Sequence, residues 1–230
     1  MKNALKLSIL TACCAVVCAC ANKQPQKENL PEGYTSGRLL LDELKGQVTK
    51  VIERSYPATA DGKIDEEAGF HWETTYNYSP EGDLLSVLND DGDVAYDTKT
   101  IRSECEVPNR ISKYSYTEKA NEEISYGYEY TYEYDNEGFV TKESCNYFGE
   151  LSGSYDDTYT YNADHEVVGI ERNGNSDELI YTRSTEITVK ERDKHGNWTS
   201  RFLKSTTTDE EEEEPYSSYS ITEREITYAE

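Results

Sequence analysis

Residues 124–135 read Ile-Ser-Tyr-Gly-Tyr-Glu-Tyr-Thr-Tyr-Glu-Tyr-Asp, and this stretch decides the fold. Alternate side chains of a β-strand lie on one face, whereas a helix would scatter the same residues around its axis. We therefore predict a strand whose tyrosines form a single stripe on one face of a sheet. The tyrosine stripe consists of Tyr126, Tyr128, Tyr130, Tyr132 and Tyr134.

The strand and its turn recur along the chain. The tyrosine strand runs into Asp-Asn-Glu-Gly at 135–138, a tight-turn sequence. Comparable four-residue turns end at positions 82, 110, 165 and 196, which gives steps of 28, 28, 27 and 31 residues. This spacing indicates an internal repeat of two antiparallel strands. Secondary turns are predicted at 89–92, 148–150 and 173–175.

These features predict an all-β fold, an antiparallel meander of about 28-residue two-strand repeats with ten to twelve strands. The sheet either curls as an open sheet or closes like a barrel. We expect a short helix within 38–45 and a bend or bulge at Gly127. The last strand, 221–228, is either a charged edge or pairs with the first strand after Gly46. Residues 37–230 are predicted to form a single repeat-built domain.

The N-terminus is typical of a bacterial lipoprotein signal. Lys2 and Lys6 precede an apolar run, and Val17-Cys-Ala-Cys20 resembles a lipobox. We predict that residues 1–19 are removed and that Cys20 carries acyl chains such as palmitate, which anchor the protein to a membrane. Residues 20–36 are polar and would form a flexible tether. The alternative is an ordinary secretory signal that leaves a free, soluble protein.

Two cysteines remain in the predicted mature domain, Cys105 and Cys145. An extracytoplasmic compartment permits disulfides, so one interpretation is a bridge between them on neighbouring strands. The alternative is a pair of buried or half-buried free thiols.

The charge of the chain excludes one class of partner. It carries 46 acidic against 23 basic residues, a formal net charge of −23, which repels nucleic acid. The acidic run at 209–214 is typical of a solvated loop, with weak divalent-cation binding as the alternative. The segment 89–93 looks calcium-like, but Asp-Gly is a common hairpin turn. We predict no cofactor and no metal.

Nothing in the sequence favours catalysis. The three histidines, His71, His165 and His195, belong to none of the familiar hydrolase or metalloprotease motifs. Acidic residues are so frequent that no carboxylate pair stands out. We therefore predict that the protein is not an enzyme. The tyrosine stripe has two interpretations: cross-strand stabilisation of the sheet, or a face that stacks on sugars or holds an extended peptide.

The tyrosine strand, the Asp-x-x-Gly turn and the approximate 28-residue step resemble the YD (RHS-like) repeats. The similarity is clearest at Tyr134-Asp-Asn-Glu-Gly138, and it extends over about residues 46–228. The segments 193–199 and 224–228 resemble the ending of small Bacteroides-type outer-membrane lipoproteins, whose functions are mostly unknown. In the lipoproteins that this chain resembles, acidic residues just after the lipidated cysteine are associated with export to the cell surface. Their absence at 21–25 favours the periplasmic face of the outer membrane.

These observations are compatible with three functions. The first is a non-catalytic envelope lipoprotein that presents its tyrosine-rich sheet surface to a protein or glycan partner. The second is a solute-binding lipoprotein with a barrel-like interior. The third, and the least favoured, is a hydrolase.

Overall fold

A computed structural model describes residues 37–229, except residue 70 and residues 89–93, 98–101, 108–109, 120–124, 150–151, 177–178 and 212–213. For residues 37, 40, 94–97, 102–107, 116–119 and 125–126 it describes the backbone alone. The predicted signal, Cys20, the tether and the predicted turn at 89–92 lie outside the described residues.

The described chain contains one short helix and thirteen strands. The helix α1 spans Gly37–Leu41, and a 3-10 turn spans Glu66–Ala68. The strands are β1 (Val48–Pro57), β2 (Trp72–Tyr78), β3 (Leu84–Leu88), β4 (Val94–Asp97), β5 (Arg102–Val107), β6 (Arg110–Lys119), β7 (Ser125–Tyr134), β8 (Val140–Phe148), β9 (Gly153–Tyr161), β10 (Val167–Ser176), β11 (Leu179–Arg192), β12 (Trp198–Asp209) and β13 (Tyr216–Tyr228).

All thirteen strands belong to one antiparallel sheet, in the order β4-β3-β2-β1-β13-β12-β11-β10-β9-β8-β7-β6-β5. Consecutive strands are neighbours except β4 and β5, which are the two edges, and β1 pairs with β13. The prediction of an all-β antiparallel meander is therefore confirmed. The strand number is higher than the ten to twelve expected. Of the two predicted positions for the last strand, pairing with the first strand is the one found.

Four of the predicted repeat turns share one construction: residues 79–82, 135–138, 162–165 and 193–196. In each, a side-chain oxygen of the first residue accepts hydrogen bonds from backbone N–H groups two and four residues further on. The fourth residue has a positive φ: 89° at Gly82, 101° at Gly138, 61° at His165 and 81° at Gly196. His165 thus occupies the place of the turn glycine, in a backbone region that non-glycine residues rarely adopt.

Two local predictions are wrong. Gly127 pairs with both neighbouring strands without a register shift, so it forms no bulge. Residues 173–175 lie inside β10 and make no turn. Gly174 leaves room for the ring of Tyr181 on the next strand, since a Cβ at this position would lie 2.6 Å from that ring. The predicted short helix is confirmed: it spans Gly37–Leu41, and Glu43 follows with a φ of 56°.

The sheet curls until its two ends approach each other. One buried cluster contains Leu84 and Val87 of β3 together with Ile111 and Tyr114 of β6, although these strands lie near opposite edges of the sheet. Leu39 of α1 belongs to the same cluster. The sheet therefore wraps around the helix. It stays open, because β4 and β5 do not pair with each other.

The helix and the segment after it are fixed to the concave face by polar contacts. The Tyr78 hydroxyl donates to Asp42 Oδ2 at 2.7 Å, and Arg224 donates to the Asp42 carbonyl at 2.9 Å. Asn197, which is 1% exposed, holds both the N–H and the carbonyl of Lys45. Among the described residues, no helix combines the length and the apolar composition that crossing a bilayer requires.

Candidate functional site

The concave face holds a cavity of about 510 Å³, called here the tyrosine cavity. Its wall is built from one face of strands β6 to β9, and its far side from β10 to β13 and the segment after α1. The lining includes ten aromatic and charged side chains that determine its chemistry: Tyr130, Tyr132, Tyr134, Phe139, Glu143, Tyr155, Tyr159, Trp198, Arg201 and Arg224.

The tyrosine stripe forms part of this cavity wall. Tyr128, Tyr130 and Tyr132 stack along β7, with ring centroids 6.1 and 6.4 Å apart. Tyr130, Tyr132 and Tyr134 line the cavity, whereas Tyr128 does not. The side chain of Tyr126 lies outside the described residues. The stripe therefore lies on the inner wall of a curled sheet. A protein with a flat binding surface would reach the outer face of the sheet but not this inner wall.

Tyr134 and Tyr132 of the stripe have buried hydroxyl groups. The Tyr134 hydroxyl donates to the Ile111 carbonyl at 2.6 Å, and burial raises its pKa to about 12. Burial also raises the pKa of Tyr132 well above its ordinary value, and the neighbouring carboxylate of Glu143 adds to the rise. Both tyrosines stay protonated at neutral pH, so they act as hydrogen-bonding and stacking groups.

A tryptophan with two arginines packed on its ring closes one side of the cavity. The guanidinium of Arg224 lies 3.6 Å from the ring centroid of Trp198, and that of Arg201 lies 4.0 Å away. Glu53 and Glu43 pair with these cations, at 2.8 Å from Arg224 and 3.3 Å from Arg201. Burial lowers the pKa of Arg201, and the neighbouring charge of Arg224 lowers it further. Cation–aromatic packing of this kind holds a flat aromatic face rigid.

A row of charged side chains crosses the opposite wall. Glu143 of β8 pairs in register with Asp157 of β9, which pairs with Arg172 of β10. Arg172 donates two hydrogen bonds of 2.7 Å to the two oxygens of Asp157, which is 2% exposed. Burial raises the pKa of Glu143 to about 7, and the charge of Asp157 adds to the rise. At neutral pH the Glu143 carboxyl is thus divided between an acceptor-only and a donor form.

Cys145 lies on the same wall as a free, buried thiol, whose pKa burial raises to about 11. Cys105 lies on β5, and β6 and β7 separate that strand from β8. Neighbouring strands are about 4.8 Å apart and a disulfide needs Cα atoms within about 7 Å. The predicted bridge between neighbouring strands is therefore wrong. Counting the hairpins between the two cysteines would have revealed the two intervening strands.

A second cavity, of about 530 Å³, opens on the concave face at the end away from the four turns. We call it the serine cavity, because hydroxyl side chains dominate its wall. Its lining consists of Ser55, Pro57, Trp72, Ile170, Arg172, Arg183, Thr185, Leu203, Ser205, Ser218, Tyr219 and Ser220. Trp72 is 58% exposed and therefore lies at the rim.

The histidines all pack against aromatic rings. His71 stacks on Tyr56 at 5.2 Å, His165 on Phe139 at 4.5 Å, and His195 lies 4.0 Å from the ring of Tyr228. Within the described ranges, no cluster of three or more candidate ligands could hold a metal ion. The predicted solvated loop at 209–214 has exposed Glu210 and Glu211, and the calcium-like segment 89–93 lies outside the described residues.

Sequence reasoning missed the cavities and most of their charged residues. Glu143, Arg172, Arg201 and Arg224 were not singled out, although each occupies an inward position of its strand. A signal was present, since a charged side chain on the same face as apolar neighbours is unusual in a strand.

Comparison with protein-family models, with curated proteins and with solved structures found no match to this chain.

Proposed function

We propose that this protein is a solute-binding lipoprotein of the cell envelope, whose curled sheet takes up a small sugar in the tyrosine cavity. The observation that carries the proposal is the position of Tyr130, Tyr132 and Tyr134 on a cavity wall. It favours the interior-binding function over a flat surface for a protein partner. The volume of about 510 Å³ lies within the range of small-molecule pockets, roughly 300–1,000 Å³.

The chemistry of the wall suits a sugar ring. The stacked tyrosines offer ring surface for the apolar side of the sugar, and the tyrosine hydroxyls and Glu143 offer hydrogen bonds to its substituents. A glycan was one of the two partners expected from the sequence. Nothing about this wall calls for a nucleic acid.

We propose binding without catalysis. Glycoside hydrolysis commonly uses two carboxyl groups on either side of the bond to be broken. Asp157, the residue in register with Glu143, is buried and held at both oxygens by Arg172. Asp157 is therefore not available as the second carboxyl group that would act together with Glu143 at this wall.

The proposal places the protein at the periplasmic face of the outer membrane, anchored through acyl chains on Cys20. The lipobox-like residues at 17–20 and the resemblance to the YD-repeat lipoproteins support this location. An anchor raises the local concentration of a binding protein at the membrane, so a modest affinity for the sugar is sufficient.

The two tryptophans of the chain allow a direct test, because Trp198 lines the tyrosine cavity and Trp72 lines the serine cavity. In a Trp72→Phe background, Trp198 fluorescence is titrated with N-acetylglucosamine, maltose and cellobiose. We expect a saturable change with at least one of them. Tyr132→Ser should weaken that binding at least about tenfold, or about 1.4 kcal/mol.

The matched control is Tyr128→Ser, which makes the same change on the same face of β7 but outside the cavity. It should leave the affinity within about twofold. Equal losses in both variants, or no response to any sugar from a folded protein, would contradict the proposal. Circular dichroism of each variant separates lost binding from lost structure.

A further inference from the structure

The serine cavity differs in charge from the rest of the molecule. Acidic residues outnumber basic ones 46 to 23 in the chain, yet the lining of this cavity contains two arginines and no carboxylate. A chance sample of this sequence would contain more acids than bases. The wall therefore concentrates positive charge where the surrounding protein is negative.

The two arginines are not equivalent. Arg172 is neutralised by its two hydrogen bonds to Asp157. Arg183, directly opposite Arg172 in the register of β10 and β11, donates from Nε to the Thr207 hydroxyl at 3.1 Å. No ion pair among the described residues involves Arg183. Its guanidinium charge is thus balanced by no carboxylate of the described chain.

Hydroxyl groups surround this charge. Five serine and threonine side chains line the cavity: Ser55, Thr185, Ser205, Ser218 and Ser220. Thr185 and Ser205 hydrogen-bond each other at 2.9 Å, which leaves one of their two protons for another acceptor. A guanidinium with several hydroxyl donors is the set of groups that recognises an oxyanion.

We propose that the serine cavity binds the carboxylate, sulfate or phosphate group of a small anionic solute. Arg183 supplies the ion pair and the hydroxyls supply hydrogen bonds to the remaining oxygens. Trp72 at the rim offers a ring for the uncharged part of the solute. The site goes beyond the proposed uptake of a neutral sugar, since it lies in a different cavity with different chemistry.

The test uses Trp72 as the reporter. In a Trp198→Phe background, the fluorescence of Trp72 is titrated with sodium sulfate, sodium phosphate and sodium glucuronate, at a constant low ionic strength set with sodium chloride. Glucose, which has the ring of glucuronate without its carboxylate, is the neutral control. Calorimetric titration of the unsubstituted protein repeats the measurement without any tryptophan change.

We expect saturable binding of at least one of the three anions and none of glucose, and the tightest anion identifies the preferred group. Arg183→Gln should weaken binding at least tenfold, and Arg183→Lys should retain part of it. The matched control is Arg54→Gln, which removes one positive charge from the outer face of β1 next to Glu73. It should leave the affinity unchanged.

Three results would overturn the proposal: no saturable binding of any anion by the unsubstituted protein, equal binding of glucose and glucuronate, or equal losses in Arg183→Gln and Arg54→Gln. Failure of the neutral-sugar proposal is distinguishable from these results. It would remove the response of Trp198 to sugars and leave the response of Trp72 to anions intact.

Discussion

At the scale of single residues, Glu143 is the group whose behaviour depends most on its surroundings. It lies on the wall of the tyrosine cavity beside Asp157, and burial raises its pKa from an ordinary 4.5 to about 7. Between these two pH values the folded protein keeps a proton that the unfolded chain has lost. By linkage, the carboxyl of Glu143 makes the fold less stable as the pH rises through this window.

Glu143→Gln should remove this loss, because an amide resembles the protonated acid at every pH. We expect the variant to be more stable than the unsubstituted protein at pH 8, by about 3 kcal/mol, and to differ little from it at pH 4. Urea unfolding at several pH values measures the difference. Glu133→Gln, on the exposed face of β7, is the control for the loss of one carboxylate. A constant difference at all pH values would contradict the expectation.

At the scale of elements, the segment from Asp193 to Trp198 links a turn between two strands to the wall of the tyrosine cavity. Asp193 caps the turn, Gly196 completes it, Asn197 holds the chain after α1, and Trp198 begins β12 inside the tyrosine cavity. The turn at 193–196 and the asparagine after it therefore also fix the segment after α1 against the concave face.

Gly196→Ala should destabilise the protein by about 1 kcal/mol, because φ is 81° there and an added Cβ meets nothing closer than 3.8 Å. Backbone strain is then the only cost. Gly169→Ala is the matched control: it lies in β10 with a nearest contact of 3.5 Å, and its conformation carries no such penalty. Thermal unfolding compares the two. Similar losses at both positions would show that the left-handed conformation is not the cause.

Periodicity and turn chemistry were enough to predict these elements. Tyr130 and Tyr132 share a face because alternate side chains of a strand lie on the same side. Asp135 and Gly138 predict a turn, because the Asp135 carboxylate can accept backbone hydrogen bonds and glycine readily adopts a positive φ. Alternation does not tell which face becomes concave. For that reason the stripe was expected on a surface, and neither the cavities nor the position of α1 between the sheet ends could be predicted.

At the scale of the whole molecule, the strand order is that of an up-and-down barrel opened at one seam, between β4 and β5. The concave face can therefore enclose cavities while two strand edges remain available. Arg183 and Trp198 lie on β11 and β12, far from this seam in the order of the sheet. Both proposed sites are thus carried by strands with a neighbour on each side.

Deletion of residues 216–230 should prevent folding, although it removes only the C-terminal end of the chain. β13 lies between β1 and β12, so its loss leaves both of these strands unpaired on one side and divides the sheet. We expect loss of the β-sheet signal in circular dichroism and aggregation in size-exclusion chromatography. A folded, monomeric truncated protein would contradict the expectation. Substituting the exposed Thr227 by Ser, which keeps the strand, is the control.

The pairing of β1 with β13 also sets a limit on how the chain can reach its native state. Val51 and Ile226 are opposite each other in the sheet, although 175 positions separate them in the sequence. Contacts between such distant segments slow folding, because a long loop must close before any of them is formed. The hairpins of the middle strands can form from residues that are close in the sequence. The first strand, by contrast, must wait until the last thirteen-residue strand is available before the sheet on that side is complete.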